Sequence, residues 1–164
     1  MHPIRLLALL AAFALPAQAQ HAHGEGKLDV VIDKDSVAIN LELPLDAAVG
    51  FERAPRNDRE KAALAATEKT LGDAALFVPT PAAECKAQTP KVVMPAFGAK
   101  AGADGHGDID ASYAYRCANP AALKSIETGI FKSFKRLYRL EARRAGPAGQ
   151  GATRLTPKNP VLAW

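Results

Sequence analysis

The stretch DIDASYAYRC, residues 108–117, places Ile109, Ala111, Tyr113, Tyr115 and Cys117 in alternation with Asp108, Asp110, Ser112, Ala114 and Arg116. Successive side chains of a β-strand point to opposite faces, so this period of two predicts a strand with one buried aromatic face and one wet face. The same period recurs upstream. Leu28, Val30 and Ile32 alternate with Asp29, Val31 and Asp33, the run Asp33-Lys34-Asp35-Ser36 supplies turn residues, and Val37, Ile39, Leu41 and Leu43 follow before Pro44. The two segments read as a β-hairpin with one buried face, ended by the proline.

Between these strands, Asn57-Asp58-Arg59-Glu60 has the pattern of a helix N-cap with a glutamate three residues on, and predicts a helix from Asp58 to about Leu71, stopped at Gly72. Its inner face, built on Leu64 and Leu71 among alanines, is thin, which suits a helix lying on a sheet surface. Residues 75–78 and 92–94 read as short strands. Asn119-Pro120 opens a second predicted helix with Leu123, Ile126, Ile130, Phe131 and Phe134 as its core stripe. Tyr138, Leu140 and Ala142 then predict a strand, 146–149 a turn, 150–156 the returning strand, and 161–164 a last short one. There is no internal repeat. The expected fold is a single α+β domain, residues 20–164, with a mainly antiparallel β-sheet and two helices.

The first residues set the compartment. Arg5 precedes an apolar run from Leu6 to Leu15, and Ala17-Gln18-Ala19 is a small-x-small cleavage pattern, so residues 1–19 read as a signal peptide cut after Ala19. No later stretch is apolar enough to span a membrane. Removing 19 of the 164 residues leaves 145 and takes Arg5 with it, lowering the formal charge from +4 to +3. That charge is too small for a general nucleic-acid binder. The two cysteines, Cys85 and Cys117, are an even count, and an oxidising compartment favours their pairing over a reactive thiol. A bridge between them closes a loop of about 30 residues, worth about 3.5–4 kcal/mol on the loop-entropy account.

Catalytic patterns are absent: the chain holds no nucleophile elbow, phosphate-binding loop or HExxH motif, and the expectation is a non-enzyme. The basic residues Lys132, Lys135, Arg136, Arg139, Arg143 and Arg144 are interleaved with core positions and offset by Glu127 and Glu141, so they read as solvated faces of a helix and a strand. Metal chemistry is better represented. His21 and His23 fall on one side of an extended segment, and neutral imidazole suits zinc or copper. In GHGDID, His106, Asp108 and Asp110 share parity, and joining His106 and Asp108 to the first pair gives the three or four nitrogen and oxygen ligands that zinc takes. Cleavage after Gln20 instead would offer Cu2+ the amine of His21 and two imidazoles, a copper-binding alternative. A metal-free envelope interaction domain is the third reading.

HAHG (21–24), GFERAPRN (50–57), the cysteines 85 and 117, GHGDIDASYAYRC (105–117) and GIFKSF (129–134) occur in the order seen in the ZrgA-like zinc-regulated periplasmic proteins, and the chain resembles that family from about residue 21 to its end. The resemblance implies a periplasmic zinc-binding protein working beside a zinc uptake transporter. It also implies His21, His23, His106 and Asp108 as the metal residues. Two departures stand out. Relatives often carry a long loop rich in His, Asp and Glu before the central strand, where this chain has the short GAKAGADGHG. Arg53 occupies the place of a histidine in the family's GFE-His-Ala-Pro. One site, rather than several, is expected.

Overall fold

The computed structural model describes residues 23–97 and 107–164. The predicted hairpin is present as β1 (Glu25–Asp33) and β2 (Ser36–Pro44), with the side chains of Leu28, Val30, Ile32, Val37, Ile39, Leu41 and Leu43 all buried on one face. Lys34, at φ 53°, and Asp35 make the turn. Arg116 clamps Asp35 with one guanidinium nitrogen at 2.8 and 2.9 Å from its two carboxylate oxygens, and the Cys117 N–H donates to the Asp35 carbonyl at 2.8 Å. The turn is therefore tied to the far end of β6 (Asp108–Cys117), which pairs with β2 antiparallel from Ser36 opposite Arg116 to Pro44 opposite Asp108.

On the other side of the hairpin, β1 pairs in parallel with β8 (Arg139–Gly146), and β9 (Gly149–Leu155) returns beside it. β4 (Cys85–Ala87) and β5 (Lys91–Val93) both pair with β6 and complete a seven-stranded sheet in which only the β1–β8 contact is parallel. Cys85 and Cys117 are register partners and are joined by a disulfide, as expected from their even count.

A second sheet contains β3 (Phe77–Pro79), β7 (Ser125–Thr128) and β10 (Val161–Ala163), in the order β10-β7-β3. Phe77 meets Tyr113 edge-on at 4.8 Å between ring centres, and one core joins the two sheets. β7 occupies the middle of the second predicted helix. Its apolar spacing suited either period, but Pro120–Ala122 makes only a single 3-10 turn, and buried Ile126 and Thr128 alternate with half-buried Ser125 and exposed Glu127 as a strand demands. Helix returns for one turn, α3 (Ile130–Ser133), which buries Ile130 and Phe131. The short strand wins because a neighbour on each side satisfies its backbone, which an isolated helix with so little room to continue would not gain.

The other predicted helix is α2 (Asp58–Leu71), capped by Asn57, whose side-chain oxygen accepts from the Glu60 N–H at 2.9 Å. Its buried face is as thin as the alanines imply, with only Thr67 and Leu71 fully covered. Polar anchors compensate at its end: the Tyr113 hydroxyl donates to the Leu71 carbonyl at 2.7 Å, and that of Tyr115 to the carbonyls of Ala74 and Phe77 at 2.7 and 3.0 Å. Burial pushes the Tyr115 hydroxyl up to about 12 and raises that of Tyr113 as well. Among the described residues, no helix is long and apolar enough to cross a membrane.

Candidate metal centre

The hairpin register brings the first described residue to the segment that follows β2. Lys27 pairs with Glu42 and Leu28 with Leu41; carried four residues past Lys27, the same register sets 23 opposite 46. Asp46 lies there in the first turn of α1 (Leu45–Val49), a five-residue helix beginning directly after Pro44. Its carboxylate Oδ2 is 2.9 Å from His23 Nδ1, and Glu52 Oε1 is 3.8 Å from the same nitrogen. The three ligand atoms lie within 4.8 Å of one another.

Two left-handed glycines shape this cluster. Gly50, at φ 87°, ends α1 and turns the chain so that Glu52 comes back toward Asp46; a side chain there would meet the Arg136 guanidinium at 2.9 Å. Gly24, at φ 75°, follows His23 and would collide with the Arg136 carbonyl and the Tyr138 ring at 2.7 Å or less. Only glycine meets both demands at such positions. The Tyr138 N–H donates to the Gly24 carbonyl at 3.0 Å. Its hydroxyl donates to Glu25, which Arg139 also grips, and these contacts hold the Glu25 carboxyl below the usual range. The entry to β1 is thus pinned to β8, leaving His23 at a fixed start.

The donor set fits a divalent ion. His23 is 78 % exposed at its side chain, against 21 % for Asp46 and 29 % for Glu52, so the imidazole faces solvent while the carboxylates form the floor. The 2.9 Å contact is a hydrogen bond between His23 Nδ1 and Asp46 Oδ2; four-coordinate zinc with arms of about 2.0–2.2 Å sets its ligands about 3.4 Å apart, so an ion would replace that hydrogen bond and part the two side chains slightly. Asp46 Oδ1 is buried and accepts no hydrogen bond from the described residues. A buried carboxylate oxygen without a donor is costly, and a cation is the partner that removes the cost.

Of the residues expected from sequence, His23 is in the cluster, and His21 and His106 lie outside the described residues. Asp108 begins β6 opposite Pro44 and is not one of the three converging groups. The Leu45 N–H donates to the Gly107 carbonyl at 3.0 Å, so Gly107 reaches the residue beside Asp46. Asp46 and Glu52 were missed by spacing alone. The hairpin register contained Asp46, and Glu52 stood within GFERAP, one residue before the position that drew notice. Arg53 itself is committed elsewhere: it forms a two-pronged pair with Glu60 at 2.7 and 2.8 Å and stacks over the Phe51 ring at 5.0 Å. That pair, with the Arg56 N–H at 2.7 Å, draws the Glu60 carboxyl down to about 2.

Fold and cluster together define a two-sheet α+β domain carrying a surface histidine-carboxylate centre at one end of its hairpin. The chain belongs to the ZrgA family of zinc uptake proteins, whose family model, described as ZrgA family zinc uptake protein, matches residues 20–164. A comparison with curated proteins finds no match.

Proposed function

We propose that this protein is a non-enzymatic, periplasmic zinc-binding accessory of a zinc uptake system, and that it holds one Zn2+ with His23, Asp46 and Glu52. The observation that carries this reading is the convergence of one ligand atom each from His23, Asp46 and Glu52, with the second Asp46 oxygen, Oδ1, left without a hydrogen bond among the described residues, in a chain of a zinc uptake family. Two carboxylates neutralise the ion and one neutral imidazole selects for a borderline metal over calcium or magnesium. His21, two residues before His23, and His106, next to Gly107, supply further imidazoles, and Asp108 orients one of them. An exposed imidazole lets the ion enter and leave without opening the core, as suits a protein that passes zinc on to a transporter. The disulfide fits an oxidising compartment, and export through residues 1–19 accords with it.

Calorimetric titration of Zn2+ into residues 20–164 tests the assignment, with His23→Ala and His106→Ala as variants. One sub-micromolar site, weakened about tenfold or more by loss of His23, is the expected result. Binding untouched by His23→Ala overturns the site, and no binding at all leaves the metal-free interaction domain as the reading.

A further inference from the structure

At the end of β1 remote from His23, Ile32, Lys34, Leu123, Lys124, Arg144 and Trp164 line a groove of about 260 Å3. No acidic side chain lines it. Arg144 departs from the solvated face expected of it: it lies on the inward row of β8 with Leu140 and Ala142 and is only 8 % exposed. Its guanidinium stands 5.2 Å over the Trp164 ring, and Nη1 donates to the Gly149 carbonyl at 2.8 Å. Among the described residues it has no carboxylate partner, and neither do Lys34 and Lys124.

Buried arginines are ordinarily paired, because a desolvated charge is expensive without an opposite one. Here Nη1 is occupied by a carbonyl, while the Nε and Nη2 donors have no acceptor among the described residues and are not sealed from solvent, so a ligand can reach them; these two N–H groups lie parallel along one edge of the guanidinium. That edge matches the two oxygens of a carboxylate. The tryptophan and the aliphatic walls offer cover for an apolar body that an inorganic anion lacks, and the volume, just under the range of about 300–1,000 Å3 usual for larger ligands, suits a small one.

We infer that this groove is a binding site for a small organic carboxylate with an apolar body, its carboxylate on Arg144 between Lys34 and Lys124, its body against Trp164 and Leu123. The site is independent of the candidate metal centre, which lies roughly 30 Å away, nine residues of extended chain from His23 to Ile32.

Trp164 is the single tryptophan of the chain, so its emission reports from the groove directly. Titration with N-acetyl-L-phenylalanine is expected to change that emission saturably. N-acetyl-L-phenylalaninamide, which lacks the carboxylate, and inorganic phosphate, which lacks the body, should leave it unchanged. Arg144→Met should weaken binding by about tenfold or more, from the value of a hydrogen-bonded charge. Because that variant removes a buried contact to Gly149, Lys34→Gln with Lys124→Gln serves as a second test. It should weaken binding by about threefold and leave zinc affinity unaltered. An equal response to the amide or to phosphate, no response to the acid, or unchanged affinity in the lysine variant overturns the proposal.

Discussion

His23 Nδ1 stands 2.9 Å from Asp46 Oδ2, and each partner is positioned by a different part of the chain. The histidine is set by Gly24 against Tyr138, and the aspartate by a helix that starts where β2 stops. The cluster is a property of the assembled sheet rather than of any contiguous motif.

Asp46→Asn separates the cost of the cluster from its use. The amide keeps the shape and removes the charge that zinc needs, so zinc affinity should fall about tenfold or more. In the presence of chelator the variant should be as stable as the parent or slightly more so, because the buried Oδ1 no longer belongs to an anion. Thermal melts with and without Zn2+ check both halves; a variant that keeps the full zinc-dependent rise in Tm contradicts the site.

The Arg53–Glu60 pair makes stability depend on acid. The Glu60 carboxyl is drawn from its ordinary 4.5 down to about 2 in the folded protein. A depressed folded value means that the contribution is fully present above the unfolded value and disappears as pH falls through the folded one. The Tm advantage of the parent over Glu60→Gln should therefore be constant above about pH 5 and vanish near pH 2. A constant difference across that window counts against the pair.

Tyr113→Phe removes the donor to the Leu71 carbonyl and nothing else of the ring. The carbonyl is left at the C-terminal end of α2, whose apolar face is thin, and a loss of about 1–3 kcal/mol is expected by urea unfolding. Wild-type stability in the variant would mean that the helix end finds another donor.

Replacing Cys85 and Cys117 with serine opens a loop of sequence separation 32. On the loop-entropy account the expected loss is about 3.5–4 kcal/mol. Denaturant midpoints of the oxidised parent, the reduced parent and the double variant should show the last two close together; three equal midpoints would leave the bridge without a role in stability.

Strands β1, β2 and β6 were legible because each has one buried face, and a period of two is hard to mistake over nine or ten residues; the three-residue β4 (Cys85–Ala87), with no fully buried residue, was not read from the sequence. Residues 120–134 were not, since Leu123, Ile126, Ile130 and Phe134 satisfy helical spacing while in fact serving a turn, a strand and a second turn in succession. Local periodicity does not report the neighbours that β3 and β10 provide. The candidate metal centre was half legible. HAHG advertised His23, whereas Asp46 and Glu52 are ordinary acids until the register of β1 with β2 and the left-handed turn at Gly50 bring them together. Arg144 was misread for a similar reason, because strand parity placed it inward with Ala142 while its charge suggested water.

The parallel pairing of β1 with β8 has a consequence for timing. Glu25 lies opposite Arg139, more than a hundred residues later, and Gly24 is held by Tyr138. Long-range contacts of this kind form late, after the loop between them has been closed. A chain emerging N-terminus first therefore presents the HAHG sequence long before the cluster around His23 can assemble, and the proposed metal site can be completed only once the final quarter of the polypeptide has arrived.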